Sequence, residues 1–211
     1  VPIGLISSLT GAWSSGGKSV KIAVEKAQAD VNEYFENKNS SIRIRLLVED
    51  SKTDPVESIH AIEKLADSGV RIIIGPATSA AVMSVRDYAN QHGIILISPS
   101  STSPALSIAN DNLFRFVPDD KNQAQFISNK MWNDGIRVVI PMWRSDTFGN
   151  ELVKEMKKNF EKKGSNTNHH DRNLITKLPM LPIPLILLRP LPTKRHIHFE
   201  RKIAAHVVYT L

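Results

Sequence analysis

The sequence predicts an α/β fold over residues 1–164, built on a doubly wound parallel β-sheet. Short runs of β-branched residues alternate with longer segments in which apolar residues recur every three or four positions. Strands separated by helices run parallel, and right-handed crossovers then place the helices on both faces of one sheet. Serine and threonine residues follow several of the runs directly, where the loops of such a sheet lie.

Six apolar runs are predicted to form strands because turn-forming residues bound them. In chain order the runs span residues 2–6, 42–48, 70–74, 94–97, 113–117 and 136–140. Helical spacing of the apolar residues predicts intervening helices over roughly 17–36, 56–66, 81–89 and 152–160.

Capping residues mark two helix starts. Asp54 precedes a proline at the first helical position and a carboxylate at Glu57, which is typical of a helix N-terminus. Pro118-Asp119-Asp120 ends the last extended segment and caps a further helix. We therefore expect a first lobe at residues 1–117 and the start of a second lobe at 118–164.

The character of the sequence changes at about Ser165. None of the 10 glycines lies beyond Gly164, whereas five of the 12 prolines lie between 179 and 192 and five of the seven histidines lie in the last 47 residues. Prolines at that density interrupt helices and central strands and favour extended, polyproline-like structure. Residues 165–211 are thus predicted to form an atypical basic tail, either foreign to the preceding fold, as after a frame error or aberrant splice, or an unusual natural extension.

Charge and composition exclude several classes of protein. Residues 1–164 carry 20 basic against 19 acidic side chains, and the tail carries 7 against 2, so the net charge of +6 belongs almost wholly to the tail. A nearly neutral body lacks the basic surface that nucleic-acid binding needs. The chain has no cysteine, no apolar run long enough to cross a membrane and no leader at its start, so we expect any signal peptide to have been removed.

Hydroxyl side chains concentrate where four of the predicted strands end. Ligands of open parallel sheets bind beyond the carboxyl ends of the strands, and the helix N-termini that follow favour an anion. The loops predict a site for a small polar ligand that bears a carboxylate, although Ser79, Ser100 and Thr102 are equally suited to capping helices and forming turns. Trp13, in the first loop, either lines the ligand or folds back on the lobe. The four loops are 7–17, 49–54, 75–79 and 98–104.

Catalytic signatures are missing from the sequence. It contains no nucleophile elbow, no phosphate-binding loop of the P-loop kind and no dinucleotide-binding glycine turn. The acidic pair Glu49-Asp50 is suited to Mg²⁺ in phospho-acceptor domains, but the other loops of the first lobe offer no acceptor aspartate. We therefore expect capping or solvation for this pair, little loss of ligand binding on Asp50→Ala, no cofactor or metal, and no enzyme activity.

The same loops carry a family resemblance. They resemble type I periplasmic solute-binding proteins of the leucine/isoleucine/valine-binding kind, which are related to the ligand-binding regions of class C receptors. The stretch at 137–164 is similar to the opening of that family's second lobe, and nothing after Gly164 matches. The motifs are SLTGAWSSGG at 8–17, EDSKTDP at 49–55, GPATSAAV at 75–82, ISPSSTSPAL at 97–106 and DTFG at 146–149.

The resemblance implies roles for individual residues. Ser79 and Thr102 hold the α-carboxylate and α-ammonium of an amino acid, helped by backbone groups around Ala77 and Ser100. Trp13 lines the pocket. Phe148 takes the place of an aromatic residue that closes over the ligand from the second lobe, without the hydroxyl of the more usual tyrosine. A further acidic residue of the family's second lobe has no counterpart in this chain.

The resemblance also implies a function. It predicts the extracytoplasmic binding component of an ABC importer, which closes two lobes over a small amino acid or amide and delivers it to a membrane permease. A sensor domain of the same fold and an enzyme of flavodoxin-like architecture stay open as alternatives. Because most of the second lobe is missing from the resemblance, we expect a truncated chain with open sheet edges that binds weakly or not at all and tends to aggregate.

Overall fold

The computed structural model describes residues 1–164 and 186–189, and the chain divides into two units, Val1–Pro118 and Asp119–Leu211. The first unit is an α/β structure with a parallel sheet, which confirms the predicted fold class. The assignment of the two units as lobes of a binding protein stays a prediction.

The first unit alternates strands and helices. The elements are β1 (Pro2–Ser7), α1 (Ser14–Asn37), β2 (Arg45–Asp50), α2 (Pro55–Asp67), β3 (Ile72–Ile74), α3 (Ser79–Gln91), β4 (Ile95–Ser98) and β5 (Leu113–Arg115). Helix α2 begins directly after Asp54, whose carboxylate accepts hydrogen bonds from the backbone N–H groups of Val56 and Glu57, as the capping pattern predicts. A single turn of 3-10 helix, Pro104–Leu106, lies between β4 and β5.

The five strands of the first unit form one sheet in the order β2-β1-β3-β4-β5, and every neighbouring pair is parallel. The chain moves from β1 to β2 on one side and then returns to β3 on the other. The order therefore reverses between β1 and β3, and the loops that leave these two strands diverge there.

The main core lies between the sheet and helices α2 and α3. Leu96 of β4 is fully buried with Ile62, Leu65 and Val85 of the two helices. The neighbouring Ile95 is 38% exposed, because successive side chains of a strand point to opposite faces. The sheet is thus anchored firmly on one face, which holds the ends of its strands in place.

Helix α1 begins three residues earlier than the spacing of its apolar residues predicts. Two glycines lie in its first turns, and a Cβ atom on Gly17 would lie 2.0 Å from the carbonyl oxygen of Ser8. A residue without a side chain therefore lets the helix approach the loop that follows β1.

The second unit contains α4 (Asp120–Asn133), β6 (Val138–Pro141), α5 (Thr147–Gly164) and β7 (Ile186–Arg189). Its core consists of Ala124, Met131, Val139, Met156 and Phe160.

Strand β7 pairs antiparallel with β6. The pairing involves four tail residues that lie between Pro184 and Pro190, so each has a backbone N–H group for the ladder. The sequence predicted no such strand, and the other residues of the predicted tail lie outside the described residues. Among the described residues, no helix has both the length and the apolar content of a membrane span.

Candidate functional site

The carboxyl ends of β1 and β3 mark the candidate site of the first unit. In open parallel sheets, ligands bind where the strand order reverses, beyond these ends. Gly75 follows β3 with φ +91°, and a Cβ atom there would lie 2.0 Å from the carbonyl oxygen of Ile6. The chain leaving β3 therefore passes against β1 at a position where only glycine fits.

Asp50, at the end of β2, ties the first two loops together. Its Oδ1 accepts hydrogen bonds from the backbone N–H groups of Leu9 (2.8 Å), Thr10 (3.2 Å) and Lys52 (2.8 Å), and its Oδ2 accepts one from the Thr10 hydroxyl (2.6 Å). Burial acts to raise the pKa of Asp50, but the hydrogen bonds from Thr10, Lys52 and Leu9 outweigh it and hold that pKa below its ordinary value.

This arrangement gives Asp50 a structural role. Its carboxylate is engaged by loop groups, and the described residues contain no group of three or more histidine, aspartate or glutamate side chains suited to a metal ion. The change Asp50→Ala removes four hydrogen bonds that shape the first loop, and the expected small effect on ligand binding stays a prediction.

Several serines of the hydroxyl-rich loops are buried supports. The Ser7 hydroxyl donates to the carbonyl oxygen of Gly17 (2.8 Å), which fastens α1 to the end of β1. The hydroxyls of Ser8 and Ser51 lie 3.1 Å apart and join the loops after β1 and β2. These side chains hold the loops together, in keeping with the alternative that serines here support the loops and do not bind a ligand.

The loops after β3 and β4 bring three of the predicted site residues together. The Ser100 hydroxyl donates to the carbonyl oxygen of Ala77 (3.0 Å). The backbone N–H of Ser103 donates to the Ser79 hydroxyl (3.3 Å). Beneath them, buried Ser98 donates its hydroxyl proton to the carbonyl oxygen of Pro76 (2.7 Å).

Ser79 is the first residue of α3, where backbone N–H groups favour an anion. The cap residue Thr78 makes no side-chain hydrogen bond to this turn. By contrast, Asp54 places its own carboxylate on the first turn of α2. Helix α3 is thus better suited than α2 to an external carboxylate. The Ser79 hydroxyl oxygen accepts a hydrogen bond from the Ser103 N–H, so the hydroxyl proton points away from Ser103 and suits a different acceptor.

Thr102 is half-buried in the loop after β4. The residues on either side of it are held by Arg115 of β5, whose Nη1 donates to the carbonyl oxygens of Ser101 (3.2 Å) and Ser103 (3.0 Å). Sequence reasoning did not single out Arg115. The sequence did contain one signal for it, since Arg115 is a single cationic residue between Phe114 and Phe116 in a predicted strand.

Trp13 is the residue directly before α1, and its ring folds back on the helix. Its indole covers Gly16, where an added Cβ would lie 2.5 Å from the ring atom Cε2. Its backbone N–H donates to the Thr53 hydroxyl (3.1 Å). The observed contact matches the interpretation that Trp13 folds back on the lobe, and a role in lining a ligand stays a prediction.

Phe148 belongs to the second unit, where it is the second residue of α5 and half-buried. The turn before it is tight: Asp146 accepts a hydrogen bond from the Gly149 N–H (2.9 Å), and a Cβ on Gly149 would lie 2.2 Å from the carbonyl oxygen of Arg144. The glycine of the DTFG motif is therefore required by the turn, and the ligand-closing role of Phe148 stays a prediction.

Comparison with known proteins identifies relatives. A family model described as "Periplasmic binding protein" matches residues 1–172, so the expectation that the resemblance ends at Gly164 is wrong by eight residues. An uncharacterised protein of Methanocaldococcus jannaschii is 30% identical over 172 residues, which are 79% of this chain and 41% of that protein. A Leu/Ile/Val-binding protein of Rhizobium johnstonii is 28% identical over 126 residues, which are 59% of this chain and 34% of that protein.

A solved structure shows the same fold. It is the substrate-binding protein of a branched-chain amino acid transporter from Streptococcus pneumoniae, in complex with isoleucine, with a TM-score of 0.64 and 24% identity. The match covers 75% of this chain and 46% of that chain. The present chain therefore spans less than half the length of these relatives.

Proposed function

Because this chain belongs to the periplasmic binding protein family, we propose that it is the extracytoplasmic solute-binding component of an ABC importer, and that its ligand is a small amino acid or amide. The first unit supplies contacts for the α-carboxylate and α-ammonium groups. Its partner in transport is a membrane permease.

The observation that carries the proposal is the start of α3. Ser79 lies 4% exposed at the first position of a helix whose cap residue leaves the turn without a side-chain hydrogen bond. Backbone N–H groups at a helix N-terminus and a serine hydroxyl together suit a carboxylate. The adjacent loop after β4 carries Ser100 and Thr102, whose oxygen atoms suit an ammonium group.

The enzyme alternative has less support. A flavodoxin-like phospho-acceptor site would use Asp50 as a metal ligand, but this carboxylate is occupied by hydrogen bonds from Leu9, Thr10 and Lys52. Relatives of the chain also include proteins named for binding leucine, isoleucine or valine.

We expect the 211-residue chain to bind its ligand weakly. Association costs several kcal/mol of translational and rotational freedom, which a few hydrogen bonds from one set of loops offset only in part. A dissociation constant of about 1 mM or weaker, near −4 kcal/mol, is the expected range.

The test is a titration of the chain with L-isoleucine, followed by the backbone amide signals in ¹H–¹⁵N spectra. Saturable shifts are expected in the wild type, and Ser79→Ala is expected to weaken binding about tenfold, the loss of one hydrogen bond to a charged group. Ser51→Ala is the matched control, because this buried serine joins the loops after β1 and β2 instead. A wild-type chain without saturable shifts, or equal affinities in the two variants, would contradict the proposal.

A further inference from the structure

We infer that Arg115 is a positioning residue of the candidate ligand site: it fixes the backbone on both sides of Thr102 and so orients the loop that follows β4. The inference deepens the proposed function and rests on it. Arg115 acts on the ligand through the loop.

The geometry is that of a clamp. Nη1 of Arg115 donates to the carbonyl oxygens of Ser101 (3.2 Å) and Ser103 (3.0 Å), the two neighbours of Thr102 in the chain. Nη2 donates to the hydroxyl of Ser107 (2.5 Å), at the far end of the same loop. One guanidinium group therefore holds three points spread over seven residues.

The loop needs such a clamp because no full helix follows it. After β1, β2 and β3 the chain enters helices of 13 to 24 residues, which fix the loop ends by their own backbone hydrogen bonds. After β4 there is only the single 3-10 turn Pro104–Leu106 before β5. A planar cation with several N–H groups can replace part of that missing support, since hydrogen bonds from a charged donor are stronger than neutral ones.

The clamp also reaches the start of α3. The carbonyl oxygen of Ser103 accepts from Arg115, and the N–H of the same residue donates to the Ser79 hydroxyl. On the other side, the N–H of Ser101 donates to the Ser98 hydroxyl, which in turn donates to Pro76 after β3. Fixing residues 101 and 103 therefore fixes the hydrogen-bonded link between the two loops.

The first measurement is hydrogen exchange in the ligand-free chain. Arg115→Met is expected to speed exchange of amides in peptides covering residues 99–108 by about tenfold, because local opening of the loop becomes easier. The matched control is Arg71→Met. Nη1 of Arg71 likewise donates to two carbonyl oxygens, those of Ala66 and Val70, but at the opposite end of the sheet. Unchanged exchange at 99–108 in Arg115→Met would overturn the inference, whether or not the chain binds a ligand.

The second measurement is a double-mutant cycle on the affinity for L-isoleucine. Arg115→Met is expected to raise the dissociation constant about fivefold alone and less than about twofold in a Thr102→Val background, since both changes affect one contact. Equal effects in the two backgrounds would show that Arg115 does not act through Thr102, which overturns the positioning role.

Arg115→Lys distinguishes a clamp from simple attraction of an anion, and it serves as the test if the methionine variant does not fold. Lysine keeps the charge but has no planar fork, so we expect it to restore neither loop protection nor affinity. Full recovery of affinity by lysine would overturn the inference. A wild-type chain that fails to bind refutes the proposed function and the ligand-orienting role together, while the exchange result still decides whether the clamp exists.

Discussion

Two buried serines, Ser98 at the end of β4 and Ser101 in the loop after it, offer a sharp test of the hydrogen-bond network. Ser98 donates its hydroxyl proton to the carbonyl oxygen of Pro76 (2.7 Å) and accepts from the N–H of Ser101 (3.3 Å). Ser101 is 1% exposed, and its own hydroxyl has no hydrogen-bond partner among the described residues. The same substitution, serine to alanine, therefore removes two hydrogen bonds at one position and none at the other.

The magnitudes follow from these contacts. A typical hydrogen bond contributes about 1 kcal/mol net, and leaving its buried partner unsatisfied costs about 1–3 kcal/mol. Ser98→Ala is expected to lower the free energy of unfolding of the first unit by about 2–4 kcal/mol. Ser101→Ala is expected to leave it unchanged within about 0.5 kcal/mol, or to raise it, because removing an unpaired buried hydroxyl removes its desolvation cost.

The assay is urea unfolding followed by amide signals of β4, which report on the first unit. With a slope of about 1–2 kcal/mol per molar urea, a loss of about 2–4 kcal/mol in Ser98→Ala shifts the midpoint down by about 1–4 M. Ser101→Ala is the internal control. Midpoints for the two variants that agree within error would refute the assignment of Ser98 as the link between the loops after β3 and β4.

Three further predictions concern the supports of the site. Gly75→Ala is expected to cost about 3 kcal/mol or more in unfolding free energy, because φ is +91° and the new Cβ would meet the carbonyl oxygen of Ile6; an unchanged urea midpoint would contradict this. Asp54→Ala is expected to lower the free energy of unfolding by about 1 kcal/mol by removing the cap of α2, whereas Asp54→Asn, which can still cap, is expected to lower it much less; equal losses in the two variants would argue against the cap. The fold lowers the pKa of Asp50 below its ordinary 3.8, so the ionised carboxylate stabilises the fold above the unfolded pKa, and this stabilisation is lost as pH falls through the folded pKa. Asp50→Asn is therefore expected to reduce the loss of stability below pH 3.8, and identical profiles of stability against pH in the variant and the wild type would refute this.

The pattern of the sequence predicted the order of the elements of the first unit because apolar periodicity is a local property. The same pattern placed β2 too early in the chain: the predicted strand covers residues 42–48, and the observed strand spans Arg45–Asp50. Asn32 of α1 accepts a hydrogen bond from the N–H of Ile44 (2.7 Å), and both Asn32 and Gln28 donate to its carbonyl oxygen. These side chains occupy the backbone groups of Ile44 just before the strand, and no local pattern signals contacts between residues so distant in the chain.

The grouping of the hydroxyl-rich loops was predictable from the sequence, but the role of each serine in them was not. Ser79 and Ser100 lie in adjoining loops after β3 and β4, as their places after parallel strands predict, and their binding role stays a prediction. Whether a serine supports a loop or faces a ligand depends on its partners across the sheet. Ser7 and Ser98 are buried against backbone carbonyl oxygens that lie 10 and 22 residues away in the chain. The strand order, which places β3 beside β4 and so brings Pro76 to Ser98, has no signature in the sequence.

The most direct test of the central claim is a map of the amide shifts that L-isoleucine causes in the 211-residue chain. The proposed function predicts that the saturable shifts centre on residues 77–82 and 100–104, at the start of α3 and in the loop after β4. It also predicts that 3-methylpentanoate, which lacks the ammonium group, shifts the first segment and leaves the second nearly unchanged. Shifts that avoid both segments, or that are the same for the two compounds, would contradict the claim that this edge of the sheet binds an amino acid.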